Sequence, residues 1–255
     1  MELFGTKDND GVYKPFFQYS HNQAVSEGMI IDVLAGNIKT YERKESLQDP
    51  RLEKIYNDAS YATRVLREEV NNNLEILALE CKHDITHFLT YVEKELDHNS
   101  KIMIISSSRK NAQMRAKILA QQLAEQGSDL KVLVGYSGEL SAIEDDSEEK
   151  NLTSEEITTT FNKEGEVKLC RKLTGDDKIT DVGDSFKKNN KYRILVCANK
   201  FQTGFDVPQL CGLYVHKIMS STSNAFQTYN RLDRNYQFIN SKGEIIKKEN
   251  TYIID

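Results

Sequence analysis

Residues 193–210 read RILVCANKFQTGFDVPQL. The first six, Arg193 to Ala198, form an apolar run rich in branched side chains, the pattern of a strand buried on both faces. A loop follows at once, Ala198-Asn199-Lys200-Phe201-Gln202-Thr203-Gly204-Phe205-Asp206. Ligands of open α/β sheets gather at the carboxyl ends of strands. At such a place Gly204 lets the backbone approach a phosphate or take positive φ, and Asp206 can accept hydrogen bonds from a ribose hydroxyl.

Working outward, the same alternation of strand and helix extends over the last two thirds of the chain. Lys101 to Ser106 (KIMIIS) predicts a buried strand. Asn111 to Gln126 predicts a helix with Ala112, Ala116, Leu119 and Leu123 on one face, stopped by Gly127. Lys131 to Val134 predicts a further strand, Thr180 to Lys188 a helix, Leu213 to Val215 a strand and Ser223 to Arg234 a helix. A polar, hairpin-like segment from Asn235 to Asn250 then leads to a last strand, Thr251 to Ile254. Residues 99–255 therefore predict an α/β lobe with a mostly parallel sheet and covering helices.

Before that lobe the period is helical. Leu52, Ile55, Tyr56 and Ala59 make one stripe, and Leu74, Leu77, Cys81, Phe88, Val92 and Leu96 a longer one, so residues 47–98 predict a helical connector. Residues 1–46 have no self-sufficient pattern and read as a tail that packs on something else. ELSAIEDDSEEK, Glu139 to Lys150, reads as a solvated loop. Thr153 with Glu156 forms a capping box opening a short helix.

Composition bounds the function. The 255 residues carry 34 Lys+Arg against 39 Asp+Glu, a formal charge of −5, which argues against a free-standing basic nucleic-acid binder. A local stripe of cations could still hold phosphates. No apolar run approaches the ~18 residues of a membrane span, and the start MELFGTKDND lacks the features of a secretory signal. Cys81, Cys170, Cys197 and Cys211 form no CxxC pair and read as reduced cytoplasmic core thiols.

A second polar cluster lies in the last predicted helix, Gln227-Thr228-Tyr229-Asn230-Arg231-Leu232-Asp233-Arg234. On a helix, Arg231 and Arg234 would leave the same face and could fork around the charge of a transferring γ-phosphoryl. RxxR alone is commonplace on solvated helices; the order of TGFD after a strand and QxxxRxxR on a helix 21 residues later, from Asp206 to Gln227, is what gives it weight. Three other groups have bland readings that weigh as much or more. His83-Asp84-Ile85-Thr86-His87 imitates HExxH but has the shorter Asp and no third ligand, which favours a half-buried structural helix. Lys187, Lys188, Lys191 and Arg193 could form a phosphate stripe or simply a solvated helix end. Tyr13, Phe16, Phe17 and Tyr19 fit core or interlobe packing better than base stacking.

With these residues in hand, the chain resembles the second RecA-like lobe of superfamily-two helicases, in particular the motor of the restriction (R, HsdR-type) subunit of type I restriction-modification enzymes. RILVCANKFQTGFDVPQL resembles that family's motif V and NAFQTYNRLDR its motif VI. KIMIISSSRKNA is similar to the motif IV region, VGYSGEL to a strand-plus-SG segment, and FFQYSHNQAVSEGMIIDVL to the link out of the first lobe. The resemblance implies that Gly204, Asp206 and Gln227 contact nucleotide, that Arg231 and Arg234 reach its γ-phosphate, and that Ser106, Ser107, Arg109 and Asn199 touch the DNA backbone. It also implies ATP with Mg²⁺, double-stranded DNA, a first RecA-like lobe and nuclease domain of the same subunit, and methyltransferase and specificity subunits as partners. Two positions depart from common patterns. Asn230 stands where many helicases have Gly, and Ala198 replaces a hydroxyl residue.

GxxxxGK[ST], a DExH box and a PD-(D/E)xK nuclease motif are all missing from the sequence. The chain is therefore expected to be one lobe whose catalytic half lies elsewhere in a longer subunit, inactive alone. The alternatives are a non-catalytic RecA-like binding or scaffold module, and a lobe of another superfamily-two helicase.

Overall fold

The computed structural model describes residues 5–7, 10–11, 13–15, 20–33, 37–39, 71–136, 163–201, 204–219 and 221–255. Phe16, Phe17 and Tyr19, the stripe from Leu52 to Ala59, the acidic stretch 139–150 and the Thr153/Glu156 capping box lie outside the described residues, as do Gln202 and Thr203.

The strand runs of the sequence become a six-stranded sheet. In chain order the elements are β1 (Gly5–Lys7), β2 (Tyr13–Pro15), α1 (His21–Ser26), β3 (Asn37–Lys39), α2 (Leu74–His87), β4 (Lys101–Ser106), α3 (Arg109–Glu125), β5 (Lys131–Tyr136), α4 (Lys163–Thr174), α5 (Val182–Lys188), β6 (Tyr192–Ala198), β7 (Leu210–His216), α6 (Thr222–Tyr229), β8 (Gln237–Ile239), β9 (Ile245–Lys247) and β10 (Tyr252–Ile254). The sheet order is β3-β10-β7-β4-β6-β5, with every neighbouring pair parallel. β1 with β2 and β8 with β9 form separate antiparallel ribbons. This is the α/β arrangement that the alternation predicts and the resemblance implies.

β4 and β6 are buried at every position because helices cover both faces, which is why their sequences run apolar instead of alternating. Helix α3 starts at Ser108, whose side chain accepts from the Asn111 N–H at 3.1 Å, and buries Ala112, Ala116, Leu119 and Leu123. Helix α2 starts at Asn73, whose Oδ1 accepts from the N–H groups of Glu75 and Ile76. It packs on α3, and Cys81, Ile85, Phe88, Val92 and Leu96 join the core of the sheet, so connector and lobe share one apolar interior. Leu74, read as part of the stripe, is exposed instead. β3 adds an edge strand to β10 from a segment that the sequence alone leaves as a tail.

The helix expected from Ser223 to Arg234 is shorter. It ends at Tyr229 with Asn230 as its C-cap, and Leu232 turns inward to complete burial. In the basic group 187–193, one cation is drawn into the fold and one stays at a solvated helix end. Arg193 pairs with Glu93 at 2.8 Å and donates to the His98 carbonyl, and Lys188 bridges Asp184 one turn away.

The HDITH segment is structural too. Asp84 is fully buried and meets His216 Nε2 at 2.9 Å and Arg115 Nη1 at 3.6 Å, while Arg115 Nη2 donates to Glu80 at 2.6 Å. Burial raises the Asp84 carboxyl, but the charge and hydrogen bond of His216, with His83 and Arg115, outweigh it and hold it below the usual carboxylate range. His87 shares a 2.8 Å hydrogen bond with the Tyr214 hydroxyl. Among the described residues no group of three or more His, Cys, Asp or Glu is arranged for a metal ion, and no helix is long and apolar enough to cross a membrane.

Two expectations follow. Arg115→Ala leaves two acidic groups without their shared cation and should cost about 3–5 kcal/mol in urea denaturation. Burial, with Lys39 and His83 nearby, lowers the His87 pKa to about 4. Between that value and an unfolded pKa of about 6.5 the unfolded chain binds the extra proton, so this contribution is full above pH 6.5 and fades as pH falls toward 4. Stability curves across that window should steepen in the native chain relative to His87→Gln by roughly 1–3 kcal/mol.

Candidate functional site

β6 and β7 lie on opposite sides of β4 and all three run parallel. The chain leaving β6 must therefore travel back along the sheet before it can begin β7, and among the described residues of that return, 199–201 and 204–209, none is helical. Apolar anchors fix its path. Phe205 and Val207 point inward and are buried, so Asp206 between them points outward.

Phe201 is the wedge at the start of the return. Its ring lies 4.3 Å from the Phe205 ring centroid, and it fills the space beside two glycines. A Cβ on Gly135 would sit 2.4 Å from its Cε2, and one on Gly183 would sit 3.1 Å from its Cε1. Phe201 holds φ at +65°, a conformation costly for a side chain with a Cβ, so ring packing must offset backbone strain. Next to it Lys200 pairs with Glu166, which is buried on α4 and also accepts from the Tyr136 N–H at 3.0 Å. Gly204 takes φ of +66° with open space around the position of a Cβ; left-handed backbone, not close approach, is what requires glycine there.

Both arginines reach this corner, though not from a helical face. Arg231 lies in the turn after α6, where Nε donates to the Gln227 carbonyl at 3.2 Å and Nη1 to the Phe205 carbonyl at 3.3 Å. Arg234 lies further on, and its Nε meets Asp206 Oδ1 at 3.2 Å with both side chains more than half exposed. What brings them together is the buried Leu232 side chain between them and a clamp from upstream. Ile30 bridges Arg234, the Ile31 N–H donates to the Asp233 carbonyl at 2.8 Å, and Asn235 Nδ2 donates to the Gly28 carbonyl at 2.6 Å. Gln227 itself is exposed on α6.

The four residues expected on the DNA backbone divide. Ile105 and Cys197 are register partners, so Ser107 and Asn199 follow neighbouring strand ends, with Arg109 in the first turn of α3. Ser107 and Arg109 are half-buried and Asn199 is exposed, with φ of +53°. Ser106 is the exception. It closes β4 in register with His216 and is only 1% exposed, so its hydroxyl is withdrawn from any surface ligand. Sequence reasoning missed the Glu166–Lys200 pair, the Phe201 wedge and the 28–31 clamp, because each depends on partners remote in the chain.

The model of type I restriction enzyme subunit R domain 3 matches residues 76–250. No curated protein matches the chain. Among solved structures, the ATP-dependent type ISP restriction-modification enzyme LlaBIII bound to DNA is 12% identical with a TM-score of 0.45, covering 94% of this chain and 13% of that one. Mss116p bound to ssRNA and AMP-PNP is 17% identical with a TM-score of 0.40, covering 70% of this chain and 25% of that one. The Sulfolobus solfataricus SWI2/SNF2 ATPase C-terminal domain is 14% identical with a TM-score of 0.34, covering 68% of this chain and 69% of that domain. The chain thus spans a quarter of the Mss116p chain and a smaller share of the restriction-modification enzyme.

The glycine notch makes its own test. Gly135→Ala should expel the Phe201 ring and lower stability by about 1–3 kcal/mol in thermal or urea unfolding. The compensating pair Gly135→Ala with Phe201→Leu should recover part of that loss.

Proposed function

Because the chain belongs to the type I restriction enzyme subunit R domain 3 family, we propose that it is the second motor lobe of an ATP-dependent double-stranded DNA translocase in such an R subunit. The observation that carries this reading is the meeting of Arg231 and Arg234 with the Gly204–Asp206 corner. Arg231 and Arg234 are assigned to the γ-phosphate, Gly204, Asp206 and Gln227 to the nucleotide rim, and Ser107, Arg109 and Asn199 to the DNA backbone.

The chemistry of each contact suits a site completed by another lobe. An exposed ion pair such as Arg234–Asp206 is worth about 0–1 kcal/mol, so a phosphate can draw the guanidinium away at little cost. A guanidinium offers several donors in a fixed fork, and in the reading proposed here Asp206 keeps that fork oriented until nucleotide arrives. Arg231 is held more firmly through two carbonyls and gives the second cation a fixed origin. Asp206 and Asp233 are the acids beside Arg234, at 3.2 and 3.9 Å from its Nε, and among the described residues no three metal-ligating groups are brought together. In this reading the Mg²⁺ that accompanies ATP is shared with the first RecA-like lobe. Contacts from Ser107, Arg109 and Asn199 would be to phosphate and hence largely independent of base sequence. In this reading the partners are double-stranded DNA, a first RecA-like lobe and nuclease domain of the same subunit, and methyltransferase and specificity subunits.

Arg234→Ala in the intact R subunit should lower DNA-stimulated ATP turnover by roughly 10³ to 10⁵-fold, as for other arginines that stabilise phosphoryl transfer. Turnover equal to that of the native subunit would remove the arginine assignment and favour a non-catalytic scaffold.

A further inference from the structure

The turn that carries Arg231 and Arg234 rests on a buried cation that comes from sixteen residues beyond its Leu232. Lys248 follows the β8–β9 hairpin, and its side chain is 6% exposed. Its Nζ donates to the Leu232 carbonyl at 2.6 Å and to the Arg234 carbonyl at 3.1 Å, while its own N–H donates to the Tyr236 carbonyl at 2.9 Å. One ammonium therefore spans the carbonyls on either side of Asp233, and the backbone of the same segment is tied down two residues later.

Burying a lysine is unfavourable unless its charge and donors are used. Burial lowers its pKa to about 8, with Cys211, Asp233 and Asp206 acting in the opposite direction. The two carbonyls belong to a turn in which helix α6 has already ended, so no intrahelical bond fixes them. On the far side the same turn is held by Ile30 and Ile31. The arginine backbone is thus gripped between the upstream segment and Lys248.

We infer that Lys248 is a positioning residue for the arginine pair: by joining the Leu232 and Arg234 carbonyls it fixes the direction in which both guanidinium groups leave the turn. Its buried Nζ is spent on backbone carbonyls and not offered to a ligand. The inference rests on the assignment of Arg231 and Arg234 given above, and it adds a residue from a segment whose polar sequence marks it as surface. A misplacement of about 1 Å at a reacting group can cost about 10²-fold in rate, which sets the scale of the effect.

The experiment compares Lys248→Met, Arg234→Ala and the double variant in the intact R subunit. Lys248→Met should lower kcat for DNA-stimulated ATP turnover by about 10²-fold with KM for ATP little changed, and the double variant should be no slower than Arg234→Ala. Additive losses would mark a generally weakened fold and overturn the inference. Native kcat in Lys248→Met beside a slow Arg234→Ala would overturn it while leaving the proposed function intact. A native rate in Arg234→Ala would instead overturn the proposed function. A readout independent of turnover is amide exchange at Ile31, whose N–H bonds the same turn. It should quicken in Lys248→Met while the Leu195 amide in β6 stays protected; unchanged Ile31 exchange overturns the inference. If the methionine variant does not fold, Lys248→Gln, which keeps a neutral donor of shorter reach, is read by the same two criteria.

Discussion

The parallel run of β6, β4 and β7 is the constraint from which the site follows. Parallel neighbours require the chain to return along the sheet between strands, and here the return from β6 to β7 must also change sides of β4. A helix normally makes such a crossing. The described part of this return, residues 199–201 and 204–209, is non-helical, with left-handed backbone at Asn199, Phe201 and Gly204. Phe201, Phe205 and Val207 supply the apolar contacts that hold this path, and Asp206 is left facing outward because its neighbours face in.

Charge is distributed in graded burial. Arg115, Asp84 and Lys248 are buried and multiply bonded, so displacing any of them strands a partner in a poorly solvated interior. Arg234 and Asp206 are more than half exposed, and water can replace either partner. Arg231 lies between these extremes, anchored by two backbone acceptors but only partly covered. Buried charges thus define the frame, and the exposed pair lies at its rim.

The sheet was legible because its strands are continuous apolar runs, and Lys101 to Ser106 is observed with the bounds that its sequence suggests. Elements whose partners are distant were not. Asn37–Lys39 is too short to register as a strand until β10 pairs with it, and residues 28–31 carry no sign that they grip Arg234. The end of α6 differs from the expected one because, although the spacing of Arg231 and Arg234 fits a helix, burial of Leu232 and bridging of Arg234 to Ile30 compete with another turn and prevail. Lys248 was hidden by its own type, since a lysine among polar residues reads as solvated unless its acceptors are known. Ser106 differs in the other direction: the resemblance implies a DNA-backbone contact, while the register with His216 leaves it 1% exposed.

The departure at Asn230 now has a physical account. Glycine is valuable where a turn demands positive φ, because other residues pay a steric penalty there. Asn230 has φ of −66° and ψ of 3°, and its N–H donates to the Phe226 carbonyl at 3.0 Å. The turn into Arg231 therefore needs no left-handed residue, and asparagine closes the helix without strain. The left-handed conformations in this region fall instead at Asn199, Phe201 and Gly204, on the return from β6. Flexibility that glycine would confer beside the arginines is absent, and orientation of the guanidinium groups is left to the carbonyl and carboxylate contacts around them.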